Sequence, residues 1–210
     1  RRIFRRELRS NLAQSNVPVL LVTHDREEAL ALADSIQVID EGRLLAQGNP
    51  LDVLGQPGQE RVAKLVGVEN LFSLSIESRN PRNGAMVCVG GGLRIEVPLD
   101  ATLTATGPAE FLEPTEEEID NVTVGIRASD IILSNREILG STARNRLRGV
   151  VTRVELVPPG YQVTLDCGQA LRCQITGAAL EELNIRPGSD MWAVFKASSC
   201  FLVQHSSSHT

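Results

Sequence analysis

Between residues 70 and 202 the same succession of blocks occurs twice, and this repeat limits the fold more than any other feature. Asn70–Ile76 lines up with Asn145–Val151, and Val87–Gly92 followed by Leu93–Val97 lines up with Val163–Gly168 followed by Leu171–Ile175. Ile126-Arg127-Ala128-Ser129-Asp130-Ile131-Ile132-Leu133 then lines up with Phe195-Lys196-Ala197-Ser198-Ser199-Cys200-Phe201-Leu202. The copies lie roughly 70–78 residues apart and keep the same order, as a duplicated unit does. Short strand-like runs separated by turn clusters at Arg79–Gly84, Gly90–Gly92 and Pro158–Gly160 give the rhythm of a small β-barrel or sandwich. Two related β lobes are therefore predicted, over 67–140 and 141–204, with Gly177–Leu183 the helical exception.

The texture before Gly67 is different. Val17–Thr23 is an apolar run without polar alternation, which predicts a parallel strand buried on both faces. It ends in Thr23-His24-Asp25, and in open α/β sheets the ligand crevice lies beyond the carboxyl ends of such strands. Asp25 with Glu28 predicts a capping box for a helix over Arg26–Ala33. A helix over Arg1–Asn16, a strand over Ser35–Ile39, a hairpin turn at Asp40–Arg43 and a return strand over Leu44–Gln47 complete the pattern, followed by helices over Pro50–Leu54 and Gln59–Val66. This part is assigned to 1–66.

Composition narrows the function classes. The 210 residues are 42% hydrophobic and 22% charged, ordinary for a globular protein. A net charge of −5 gives no support to nucleic-acid binding, which favours a basic face. The arginines of the first nine residues fall on a helical pattern with Ile3, Phe4, Leu8 and Leu12 as its apolar stripe, so they read as a solvated face. Cys88, Cys167, Cys173 and Cys200 show no CxxC spacing and are expected to be buried, reduced thiols. No run approaches the ~18 apolar residues of a membrane span. His205 and His209 fall in a Ser-rich tail, 205–210, expected to be disordered.

Val17–Ala29, with Asp34-Ser35-Ile36-Gln37-Val38-Ile39-Asp40-Glu41-Gly42-Arg43 after it, resembles the switch-histidine segment of ABC-transporter ATPases. The resemblance makes His24 the catalytic switch histidine, which donates toward the γ-phosphate of ATP in an intact subunit. Phosphoryl transfer rests on positioning and charge stabilisation by several groups, so one histidine does not suffice. The chain has no G-x-x-x-x-G-K-[ST] loop, no LSGGQ-like signature and no strand ending in the Asp-Glu pair that holds magnesium. The resemblance thus implies ATP and magnesium for the intact subunit. For this chain alone it implies no cofactor and no ATPase activity.

The downstream part resembles the regulatory extension of ABC-importer ATPases at Val68–Phe72 and Val124–Arg127. Ser141-Thr142-Ala143-Arg144-Asn145, with Phe195-Lys196-Ala197-Ser198-Ser199, is similar to the Ser-Ala-Arg-Asn and Lys-Ala-Ser motifs of molybdate-binding (Mop-type) domains. A tetrahedral dianion is held by backbone N–H groups, hydroxyls and cationic side chains. Carried over residue by residue, the oxyanion candidates are Thr142, Ala143, Arg144, Asn145, Lys196, Ala197 and Ser198, with Thr142 departing from the family serine. Glu69 stands where Arg144 stands in the other repeat, so no equivalent site is expected in the first lobe.

The resemblance implies a mainly β chain, with an OB-like β-barrel regulatory domain of two lobes preceded by an α/β fragment of a P-loop ATPase domain. It implies the C-terminal portion of a molybdate, tungstate or sulfate importer's ATP-binding subunit. Such a subunit is cytoplasmic, peripheral at the membrane through its transporter subunits, and a homodimer. Three alternatives stay open. One is an ATPase subunit of a sugar, polyamine or iron importer, another a lobe pair that only supports dimerisation, and the third a free-standing molybdate-binding protein.

Overall fold

The computed structural model describes residues 18–99 and 121–203, which belong to two compact units divided between Val66 and Gly67. In the first unit, helix α1 (Arg26–Leu32) is followed by strands β1 (Ile36–Asp40) and β2 (Arg43–Gly48) and helices α2 (Pro50–Gly55) and α3 (Glu60–Leu65). Asp25 caps α1 by accepting from the N–H groups of Glu27 and Glu28. Only half of the expected box forms, because the Asp25 N–H donates to Thr23 Oγ1 and the Thr23 hydroxyl donates to the Glu28 carboxylate. β1 and β2 make an antiparallel hairpin whose turn residues, Glu41 and Gly42, both have positive φ, as a type I′ turn requires. Asn49 caps α2 with Pro50 at its first position. In α3, Val62 and Ala63 are buried while Leu65 is exposed.

The expected strand at Val17–Thr23 does not form: residues 18–23 are irregular, with Leu20 91% and Val22 90% exposed. A doubly buried parallel strand exists only between neighbouring strands. Among the described residues of this unit, the only strands are β1 and β2, and they pair with each other. The expected helix at Arg1–Asn16 and the tail 205–210 lie outside the described residues.

The second unit is mainly β, as expected. Its strands are β3 (Asn70–Asn80), β4 (Ala85–Gly90), β5 (Leu93–Pro98), β6 (Asn121–Ile126) and β7 (Ile132–Ser134) in the first repeat. The second repeat supplies β8 (Asn145–Val157), β9 (Gly160–Asp166), β10 (Ala170–Ile175), β11 (Asp190–Phe195) and β12 (Phe201–Val203), with helix α4 (Gly177–Glu182) after β10. One-turn 3-10 helices at Ala128–Asp130 and Ala197–Ser199 follow β6 and β11. Two antiparallel sheets result, in the orders β12-β6-β3-β4-β5 and β10-β9-β8-β11-β7. Each is completed by a short strand from the other repeat: β12 pairs with β6, and β7 with β11. Phe72, Leu74, Met86 and Ile95 of one sheet share a single core with Val163, Leu165, Leu171 and Phe195 of the other.

The registers make the repeat explicit. Asn70 faces Ile126 as Asn145 faces Phe195, and the bulged residues Glu77 and Thr152 occupy matching places in β3 and β8. Val89 lies between Ser75 and Arg94, as Asp166 lies between Val150 and Ala170. Glu96 is therefore the counterpart of Arg172, two residues from the match that sequence similarity suggests. The connections differ. Gly90 faces Leu93 across a two-residue turn, whereas Asp166 faces Ala170 across three residues. Gly168 (φ +97°) lies so close to Gly91 that an added Cβ would stand 2.6 Å from the Gly91 carbonyl oxygen.

Candidate functional site

Asn145, at the first residue of β8, is 3% exposed and spends its side chain on the edge of the other sheet. Its Oδ1 accepts from the Glu96 N–H at 2.7 Å, and its Nδ2 donates to the Glu96 carbonyl at 2.8 Å and toward Cys200 Sγ at 3.9 Å. The amide thus imitates a strand partner for β5, satisfying backbone groups that an edge strand leaves open. One residue earlier, Arg144 Nε donates to both carboxylate oxygens of Glu96, at 3.2 and 3.4 Å. Arg144 is exposed and Glu96 is half-buried.

The first repeat builds the same latch with the charges reversed. Asn70, 2% exposed, accepts from the Arg172 N–H at 2.7 Å and donates to the Arg172 carbonyl at 2.8 Å. Arg172 Nη1 donates to the Glu69 carbonyl at 3.0 Å. The Glu69 carboxylate accepts from the Ala128 N–H at 3.1 Å, at the start of the 3-10 turn. Ala197 is the counterpart of Ala128, and among the described residues no protein acceptor faces its N–H.

These contacts place the residues predicted for oxyanion binding. The pairing of Asn145 with Phe195 sets Arg144 and Lys196 at adjoining ends of β8 and β11. The turn bearing Ala197 and Ser198 packs against β5, the strand that carries Glu96. Lys196 and Ser198 are exposed, whereas Arg127, the counterpart of Lys196, is buried. Thr142 is exposed. Ala143 is buried, and its carbonyl accepts from Arg146 Nη1 at 3.2 Å. Both amide hydrogens of Asn145 are engaged within the protein, by the Glu96 carbonyl and Cys200 Sγ. Glu96 escaped sequence reasoning because nothing in a lone glutamate 48 residues before Arg144 marks it as a partner.

His24, the predicted catalytic residue, lies exposed just before α1. Among the described residues, no three His, Cys, Asp or Glu side chains are grouped to hold a metal ion. All four cysteines are free, and loss of solvation raises every one: Cys88 and Cys167 to about 11, Cys200 to about 12, and Cys173 likewise upward. They are protonated at neutral pH, so they pack as small apolar groups and are not nucleophiles.

A family model described as "TOBE domain" matches residues 141–202. The molybdate/tungstate import ATP-binding protein WtpC of Pyrococcus horikoshii is 33% identical over 195 residues, covering 92% of this chain and 49% of that protein. The molybdenum import ATP-binding protein ModC of Rhizobium etli is 27% identical, covering 87% and 48%. The Fe(3+) ions import ATP-binding protein FbpC of Photorhabdus laumondii is 28% identical, covering 86% and 44%. The chain spans about half the length of the curated relatives it matches. Among solved structures, the cytoplasmic molybdate-binding protein ModG, crystallised with molybdate bound, aligns with a TM-score of 0.51 and 24% identity over 65% of this chain and 96% of its own. That likeness shows the shared fold, an OB-like β domain.

Proposed function

We propose that this chain, which belongs to the ATP-binding subunits of ABC importers as their C-terminal, TOBE-bearing portion, is the regulatory part of an oxyanion importer's ATPase. Residues 1–66 end its nucleotide-binding domain, and two OB-like lobes over 67–140 and 141–204 form the regulatory domain. The second lobe takes up a tetrahedral dianion of the molybdate, tungstate or sulfate class. One contrast carries this reading: the Ala128 N–H is met by the Glu69 carboxylate, while among the described residues its counterpart at Ala197 has no protein acceptor and adjoins Lys196 and Ser198. An anion at the second position would receive from this turn what the Glu69 carboxylate receives from the first. Arg144 and Lys196 supply charge, Ser198 and Thr142 hydroxyls, Ala143 and Ala197 backbone N–H groups, and Asn145 holds Arg144 in place.

In the intact subunit His24 would face the γ-phosphate of ATP, and the bound nucleotide with magnesium would supply the phosphoryl-transfer chemistry. The subunit dimerises and works at the cytoplasmic face of the membrane on its transporter partners, where anion uptake by the second lobe slows transport. A second reading has its own support: Glu96 already engages Arg144, and the iron-importer protein is also similar. In that case the lobes only join subunits.

Calorimetry of the chain with molybdate, tungstate and sulfate separates the two. A charge-assisted hydrogen bond contributes about 1.5–3 kcal/mol, so Arg144→Ala or Lys196→Ala weakens saturable binding roughly ten- to a hundredfold. Absence of heat with all three anions overturns the oxyanion reading.

A further inference from the structure

We propose that Glu96 is the specificity-determining residue of the second-lobe anion position, a resident carboxylate that an incoming anion must share with Arg144. The proposal rests on the oxyanion reading above and deepens it. Glu96 lies on β5, and Asn145 clamps its backbone through both N–H and C=O. Asn145 follows Arg144 directly, so the clamp fixes the carboxylate beside the guanidinium instead of leaving the pair to chance on a mobile surface. Arg144 Nε lies 3.2 and 3.4 Å from the two Glu96 oxygens. The same strand packs against the turn of Ala197 and Ser198, so β5 carries the Arg144-bound carboxylate beside that turn. The first repeat supplies the precedent. There a carboxylate of the chain, Glu69, receives the Ala128 N–H, which shows that an internal carboxylate fits this kind of position.

Arg144 and Lys196 bring two positive charges and Glu96 removes one. The consequence is a charge filter, because a nearby negative charge opposes a dianion twice as strongly as a monoanion of the same shape. At about 6 Å in a water-like dielectric, one like charge weakens a monoanion roughly threefold and a dianion roughly tenfold, and added salt reduces both. With Glu96 present, the position is held to moderate affinity for dianions, as a sensor that must release its ligand requires.

The test uses the full chain with tungstate and perrhenate, tetrahedral anions of closely similar size that differ by one charge. Glu96→Gln preserves the side-chain shape, and the Asn145 clamp uses only the backbone of residue 96. The variant should bind tungstate roughly tenfold and perrhenate roughly threefold more tightly, and 0.5 M sodium chloride should shrink both gains. Binding by both proteins with an unchanged tungstate-to-perrhenate ratio overturns the role of Glu96 while leaving the oxyanion reading intact. Binding of neither anion by either protein removes that reading, and this proposal with it. An unchanged thermal transition in the variant ties any affinity change to the site and not to folding.

Discussion

Asn70 and Asn145 hold the backbone of the other sheet's edge strand with the same two hydrogen bonds, yet the preceding residue is Glu69 in one repeat and Arg144 in the other. Their counterparts across the interface are also reversed, Arg172 facing Asn70 and Glu96 facing Asn145. A duplicated fold has kept its latch and inverted its charges. The buried amide keeps the two sheets together, so either repeat loses by changing it. The charged neighbours are more exposed and contribute less to stability, so they can differ between the repeats at little cost to the fold.

The largest effect is expected at the latch. Asn145→Ala and Asn70→Ala each leave buried backbone groups of β5 or β10 without partners, a loss of about 2–4 kcal/mol. Chemical denaturation should show similar losses for both, and a loss at only one site would break the structural equivalence. An intermediate effect is expected from exchanging charges in the first repeat. Glu69→Arg with Arg172→Glu reproduces the Arg144–Glu96 arrangement and removes the carboxylate from the Ala128 N–H. Calorimetry should then show a second anion equivalent per chain. An unchanged stoichiometry would mean that the buried Arg127, and not Glu69, closes the first position.

The smallest effect concerns Arg148, whose Nε and Nη2 donate to Asp190 at 3.0 and 2.8 Å across β8 and β11. Hydrogen bonding to Arg148 lowers the Asp190 pKa below its ordinary value. A lowered carboxylate pKa stabilises the fold while Asp190 is ionised, and the contribution disappears as pH falls through the folded-state value. An NMR titration should find Asp190 titrating below an ordinary aspartate, and Arg148→Ala should return it to that range. Both groups are well exposed, so the accompanying stability change is small.

Much of the β unit was legible because strand alternation and turn residues recur in order. Ile126–Leu133 and Phe195–Leu202 correspond residue for residue in the structure, each a strand end, a 3-10 turn and a short strand. The middle blocks slipped, Val87–Gly92 by one residue and Leu93–Val97 by two, because unequal hairpin turns shift the register, and similarity of Leu-Arg with Leu-Arg cannot reveal turn length. Val17–Thr23 misled for another reason. Its residues specify a strand only if strands lie beside it, a condition set by neighbours and not by the run itself. At the site, Arg144 and Lys196 could be named from their motifs. The role of Asn145 could not, because a sequence does not say whether a polar side chain faces a ligand or a neighbouring backbone. Glu96 needed the fold to bring β5 to β8.

The exchanged closing strands also set a timetable for synthesis. β6 is translated well before β12, the strand that covers its free edge. At about 5–20 residues per second, the ribosome takes on the order of ten seconds to make the intervening chain. For that time the first sheet has an unpaired edge, a surface that invites pairing with other nascent chains. The Asn70 latch is likewise idle until Arg172 has emerged. The β unit therefore completes its fold only once Val203 is free, and its first repeat depends on whatever shields that edge in the meantime.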